Sequence, residues 1–164
     1  MTVDKILAAV SEHPSRLVEI TGGEPMEQEG VYPLIEALLA KRYTVMLETG
    51  GHIPLDRVPI EVIKIIDVKC PDSGECGSFS EDNLRVVEPH DEFKFVLASR
   101  TDYEWARQFV NERLVGKPNT VLFSPAHGIL SARDLSNWVL SDGMNVRLQL
   151  QNHKFIWGAD ARGV

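Results

Sequence analysis

The feature that most limits the fold of this chain is a repeated switch between two hydrophobic periods. Ile6, Leu7 and Val10 fall at helical spacing between Thr2 and His13, and His13-Pro14 then gives way to RLVEIT, which reads as a strand. The same beat recurs: a helix is predicted from about Val31 to Arg42 and a strand in YTVMLET, then a strand in VIKIIDV after Pro59. A helix near Glu81 to Val87 precedes the strand EFKFVLA, and Asp102 to Val115 reads as helix, TVLFS as strand and Ser131 to Asp142 as helix. VRLQLQ closes the series as a sixth strand. Strands separated by helices require right-handed crossovers, so the expected class is α/β with a mainly parallel six-stranded sheet. Two architectures satisfy this, an open doubly wound sheet and an incomplete, partial TIM-type β/α barrel.

At 164 residues and 43% hydrophobic, the sequence can bury an ordinary core and is expected to form a single domain over residues 1–164. Its net charge of -7 comes from scattered acids, with no basic stripe to neutralise a phosphate backbone, so nucleic acid is not an expected partner. No apolar run approaches the ~18 residues that span a bilayer, and the opening lacks the basic-then-apolar pattern of a secretion signal. The expected address is the cytoplasm, away from membrane. Cys70 and Cys76, in DVKCPDSGEC, make neither a CxxC redox pair nor a zinc site, and two thiols cannot supply three cluster ligands.

In either architecture ligands bind beyond the carboxyl ends of the strands, and the polar and glycine-rich clusters fall there. TGGEP (Thr21 to Pro25) follows the first strand, ETGG (Glu48 to Gly51) the second, DVKCP (Asp67 to Pro71) the third, SPAHG (Ser124 to Gly128) the fifth and QNHK (Gln151 to Lys154) the sixth. Asp72 to Ser80 reads as a mobile loop. Gly22 and Gly23 lack β-carbons where a strand becomes a loop, so backbone polar groups can approach a ligand, and Glu24 offers a carboxylate beside them. A tight turn followed by a surface acid is the plainer account of Gly-Gly alone. His127 taken alone is an ordinary loop residue and His153 taken alone a surface histidine, although a histidine near neutral pH can also donate or pass a proton. Trp105 and Trp138 fall on helices, where packing explains them.

The hexapeptide ITGGEP resembles the radical S-adenosylmethionine (SAM) superfamily. Together with LETGG, DVKCPDSGE, EFKFVLA and RLQLQNHKFIW, in this order and spacing, it is similar to the 7-carboxy-7-deazaguanine synthase family across nearly the whole chain. The resemblance implies a radical SAM-type partial barrel and a lyase of queuosine and 7-deazapurine biosynthesis. The reaction is ring contraction of 6-carboxy-5,6,7,8-tetrahydropterin with loss of ammonia. It further implies SAM, a 4Fe-4S cluster and Mg2+ as cofactors, a flavodoxin-like electron donor and a homodimer. By motif, Thr21 would touch the pterin, while Gly22, Gly23 and Glu24 would hold the amino end of SAM. Glu48 would hydrogen-bond SAM or substrate, and Lys69 would pair with the SAM carboxylate or a substrate oxygen. Ser124, Pro125, Ala126 and His127 would present backbone groups to adenine; His153 and Lys154 would line the substrate pocket, with Glu48 and His153 as the catalytic candidates. Cys70 is expected to be a packed residue, and the chain end at Val164 to lie near substrate in some relatives.

One departure stands out. The family carries a CxxxCxxC loop before TGGEP, whose three thiolates hold the cluster, and no cysteine precedes Thr21. The sequence therefore reads as lacking an N-terminal segment of the family, and no metal ligand is assigned within it. A non-catalytic SAM- or pterin-binding remnant is the alternative; an unrelated nucleotide-binding α/β enzyme is a third reading, which leaves RLQLQNHKFIW unexplained.

Overall fold

The computed structural model describes residues 1–159 and residue 161. The element order is α1 (Val3–Ser11), β1 (Leu17–Ile20), α2 (Val31–Ala40), β2 (Thr44–Thr49), β3 (Ile63–Asp67), β4 (Glu92–Leu97), α3 (Arg100–Arg113), β5 (Thr120–Pro125), α4 (Ala132–Ser141), β6 (Arg147–Leu148) and α5 (Asn152–Ile156). In sheet order the six strands follow the chain, β1-β2-β3-β4-β5-β6. A doubly wound sheet reverses direction at a switch point and this order does not, which decides between the two architectures in favour of the singly wound, barrel-type one.

Two compact units make up the chain: residues 1–67 with 78–92, and residues 68–77 with 93–164. In the first, β1 pairs parallel with β2, and β2 parallel with β3. Alternation in TVMLET places Val45, Leu47 and Thr49 inward on a strand, and all three are buried. Helix α2 buries Val31, Leu34, Ile35 and Leu38, the i, i+3, i+4, i+7 set of one helical face. The loop 51–55 beyond β2 is held by a side chain: the amide of Asn83, 1% exposed, donates to Gly51 O at 2.9 Å and Ile53 O at 3.0 Å and accepts from Leu55 N at 3.0 Å. Lys64 on β3 is also buried, with its ammonium 3.0 Å from Asp91, whose carboxylate accepts the Lys64 and Glu88 backbone N–H groups at 2.8 Å each. A buried charge survives only when paired and hydrogen-bonded in this way.

The second unit is built on aromatic packing. Phe95 on β4 is fully buried, and its ring meets Phe109 at 5.5 Å, Phe123 at 5.6 Å and Trp105 at 6.5 Å, all edge-on. Tyr103 packs against Phe123 and Trp138, so both helical tryptophans have packing partners as expected. The Tyr103 hydroxyl lies 2.8 Å from the Asp142 carboxylate and 3.0 Å from Trp138 O. Asp102, 1% exposed at the start of α3, accepts the N–H of Asp72 at 2.9 Å and of Ala98 at 2.8 Å, and so ties the turn after Pro71 to the end of β4.

Two expectations are corrected. The predicted helix near Glu81 is only a 3-10 stretch, Glu81–Arg85, because Asn83 within it is directed inward to the 51–55 loop instead of extending a helical face. The sixth strand spans two residues, Arg147–Leu148, paired with Leu122 and Phe123 of β5. Among the described residues Leu148, and Leu150 just beyond the strand, remain 38% and 39% exposed, so the alternation in VRLQLQ is not matched by burial. Beyond β6, Asn152–Ile156 forms the short helix α5. The expectation for Val164 falls outside the described residues.

Candidate functional site

Parallel register brings the carboxyl ends of β1 and β2 side by side: Ile20 faces Leu47, so Thr21 comes level with Glu48. The Thr21 hydroxyl donates to Glu48 Oε2 at 3.2 Å. Gly22 and Gly23 then take φ of 98° and 56°, left-handed values that a side chain resists, and a β-carbon at either would meet no atom within 4 Å. Their conformation, not crowding, requires glycine, and the space above their backbone is open.

This turn sends Glu24 back across β2. Its side chain is only 9% exposed. Oε1 accepts the Met26 N–H at 3.0 Å, so Glu24 caps the 3-10 turn Pro25–Glu27. Oε2 accepts the Gly50 N–H at 2.8 Å, and the Thr49 hydroxyl lies 2.9 Å from both carboxylate oxygens. His52 stands between two acids, 3.7 Å from Glu24 and 3.8 Å from Glu27. TGGEP and ETGG, read from sequence as two clusters, are therefore one hydrogen-bonded assembly. Sequence reading leaves His52 as a structural residue and includes Thr49 only as part of the ETGG cluster; the signal for Thr49 was its inward place in the β2 alternation, two residues beyond Leu47.

In the second unit, β5 ends in Ser124 and Pro125, both buried, and the Ala126 N–H donates to Leu97 O at 2.8 Å. The His127 N–H donates to Gln151 Oε1 at 3.3 Å, and its ring meets Phe155 edge-on at 5.3 Å. Pro125, His127, Leu130, Leu150, Gln151 and Phe155 help to line a cleft of about 390 Å³, a size that suits a small organic ligand. Gln151 belongs to the QNHK cluster read from sequence, whereas Phe155 was not assigned a role there; aromatic spacing in NHKFIW was the available signal. His153 is exposed on α5, whereas Lys154 beside it is half-buried. Lys69 is half-buried on the turn after β3 that Asp102 secures. Cys70 is packed, at 1% exposed, and Cys76 is exposed; both are free thiols. Among the described residues no three His, Cys, Asp or Glu side chains group as metal ligands.

A sequentially wound α/β sheet with these clusters at its strand ends is a fold of the radical SAM type. QueE from Escherichia coli matches it with a TM-score of 0.71 at 20% identity, over 92% of this chain and 64% of that one. SuiB from Streptococcus suis, solved with S-adenosylmethionine bound, matches with a TM-score of 0.61 at 10% identity over 92% of this chain and 42% of its own. In sequence, a 7-carboxy-7-deazaguanine synthase of Koribacter versatilis is 49% identical over all of this chain and 79% of its own length. One of Chlorobaculum tepidum is 44% identical over all of this chain and 76% of its own. The chain belongs to the 7-carboxy-7-deazaguanine synthase family. No family model matches it.

Proposed function

We propose that this chain provides the SAM- and substrate-holding body of a lyase that contracts 6-carboxy-5,6,7,8-tetrahydropterin to 7-carboxy-7-deazaguanine with release of ammonia. The observation that carries the reading is the Thr21–Gly51 assembly: a nearly buried carboxylate beside two open left-handed glycines suits an ammonium group of a ligand lying along the strand ends. SAM fits that chemistry, and when bound it supplies the adenosyl group that abstracts hydrogen from the substrate. Gly22, Gly23 and Glu24 would hold its amino end. Ser124 to His127 would present backbone groups to its adenine, and Lys69 would meet its carboxylate or a substrate oxygen. By resemblance to the family, Thr21, Glu48, His153 and Lys154 would face the pterin, and Glu48 and His153 would be the groups that hold or move a proton. Positioning and exclusion of water are the protein's contributions.

The 4Fe-4S cluster of the family does not fit these residues. It needs three thiolates, and the sequence offers only Cys70, packed inside, and Cys76. No step is derived through the cluster or through Mg2+. The proposal extends to a flavodoxin-like electron donor and a homodimer, implied by resemblance to the family, and to a single domain, expected from the length of the sequence, in a cytoplasmic setting. No described helix is long and apolar enough to cross a membrane.

Calorimetric titration of the purified chain with SAM is the direct test. One-to-one binding that Glu24→Gln weakens about tenfold or more is the expected result, since hydrogen bonds to charged groups contribute about 1.5–3 kcal/mol. No binding by the unaltered chain overturns the reading. Anaerobic assay of the polypeptide extended in frame upstream of the Met1 codon then separates the two binding readings. Ring-contracted product supports the lyase, and binding without product identifies a non-catalytic remnant.

A further inference from the structure

Glu24 has been treated so far as a ligand group, but its surroundings show how it is aimed. A carboxylate offers about four lone-pair positions. Two are taken by the Met26 and Gly50 N–H groups, one on each oxygen. Those backbone donors belong to the turn and to the end of β2, and neither depends on a side chain. The third donor is the hydroxyl of Thr49, which is 2% exposed and stands 2.9 Å from each oxygen.

The direction of that hydroxyl is itself set. Its oxygen accepts the Gly51 N–H at 3.2 Å, so its single hydrogen is turned away from Gly51 and toward the carboxylate. Gly51 in turn is fixed by Asn83 and by Ser80, whose N–H donates to Gly51 O at 2.9 Å. Backbone position thus passes through one hydroxyl into the orientation of a charged group. The His52 ring nitrogen stands 3.7 Å from Oε2, beyond hydrogen-bond reach, so with three donors in place about one acceptor position remains on Glu24, the number a single ammonium N–H requires.

We propose that Thr49 is a positioning residue for ligand capture: it locks the plane of the Glu24 carboxylate so that its remaining acceptor position meets the ammonium of an amino-acid-bearing ligand. This rests on the SAM reading above. Thr49 touches no ligand in this account and acts only through Glu24.

The test is calorimetric binding of SAM and of 5'-methylthioadenosine, which keeps the adenosyl part and lacks the amino-acid end, to the full chain and its variants. Thr49→Val keeps the branched shape and removes the hydroxyl; it is expected to weaken SAM about tenfold, the equivalent of one lost charge-assisted hydrogen bond. Binding of 5'-methylthioadenosine should be unchanged, and Thr49→Ser, which retains the hydroxyl, should restore SAM affinity to within about threefold. In a Glu24→Gln background Thr49→Val should have little further effect, whereas independent residues would multiply to a loss of about a hundredfold. Equal loss of both ligands, failure of Ser to rescue, or multiplicative losses each overturn the proposal. If the Val variant does not fold, Thr49→Ala carries the same comparisons. Absence of SAM binding in the unaltered chain rejects the SAM reading itself; normal binding with an inert Thr49→Val rejects only the role of Thr49.

Discussion

Gly51→Ala is the perturbation whose cost the structure specifies most fully. A β-carbon there would lie 2.8 Å from Ile66 Cγ2 and 2.9 and 3.2 Å from Phe79 ring carbons, well inside ordinary contact. Gly51 also has φ of 67°, in the left-handed region where an L side chain costs about 1–2 kcal/mol. Forcing a methyl into a packed site adds about 1–3 kcal/mol. Ile66 is fully buried in β3 and has little room to yield, so the sum is about 2–5 kcal/mol, a large part of the roughly 5–15 kcal/mol that stabilises a typical domain. Gly22→Ala is the internal control: it has the same backbone sign, at φ of 98°, but nothing lies within 4 Å of the added carbon. It should show only the conformational part, about 1–2 kcal/mol. Urea unfolding followed by tryptophan fluorescence and circular dichroism measures both. If Gly51→Ala is no more destabilising than Gly22→Ala, the steric account of the β2 exit is wrong.

Two further outcomes are expected. Asp91→Ala strands the Lys64 ammonium and removes the acceptor of two backbone N–H groups, so it should cost about 3–5 kcal/mol in the same urea assay; a loss below about 1 kcal/mol would mean that Lys64 finds another outlet. Burial, and then the hydrogen bond to Asp142, push the Tyr103 phenol above its ordinary value of 10.0. The folded state therefore keeps a proton that the unfolded chain gives up: the stabilisation is intact below about pH 10 and is lost as pH rises through the raised value. In an ultraviolet tyrosinate titration, Tyr103→Phe should delete the last-titrating phenol, and an unchanged high-pH limb would refute the assignment.

Much of the fold was legible because periodicity and burial agree where an element has neighbours. TVMLET and EFKFVL alternate in sequence, and their burial alternates with them. VRLQLQ has the same pattern but sits as β6 against β5 alone in the sheet order, and with Leu148 and Leu150 partly exposed the pattern yields two strand residues. Periodicity records which face a side chain prefers, not whether a second layer exists to receive it. The candidate site was legible as strand-end motifs, because glycine pairs and acids after buried strands have a physical reason to be there. The bonds from Thr49 to Glu24 and from Asn83 to the 51–55 loop span 25 and about 30 residues of sequence, and no local pattern announces a partner at that range.

Asn83 has a consequence for motion. Gly51, Ile53 and Leu55 each bond to one buried amide, that of Asn83, which does for them what a neighbouring backbone would do in a ladder. Hydrogen exchange at the Leu55 amide should then be governed by escape of the Asn83 side chain, not by the loop's own flexing. Gly51, whose N–H turns the Thr49 hydroxyl toward Glu24, is therefore anchored by a residue on a different stretch of chain, and substitution at position 83 is expected to loosen that link without changing Glu24 or Thr49 themselves.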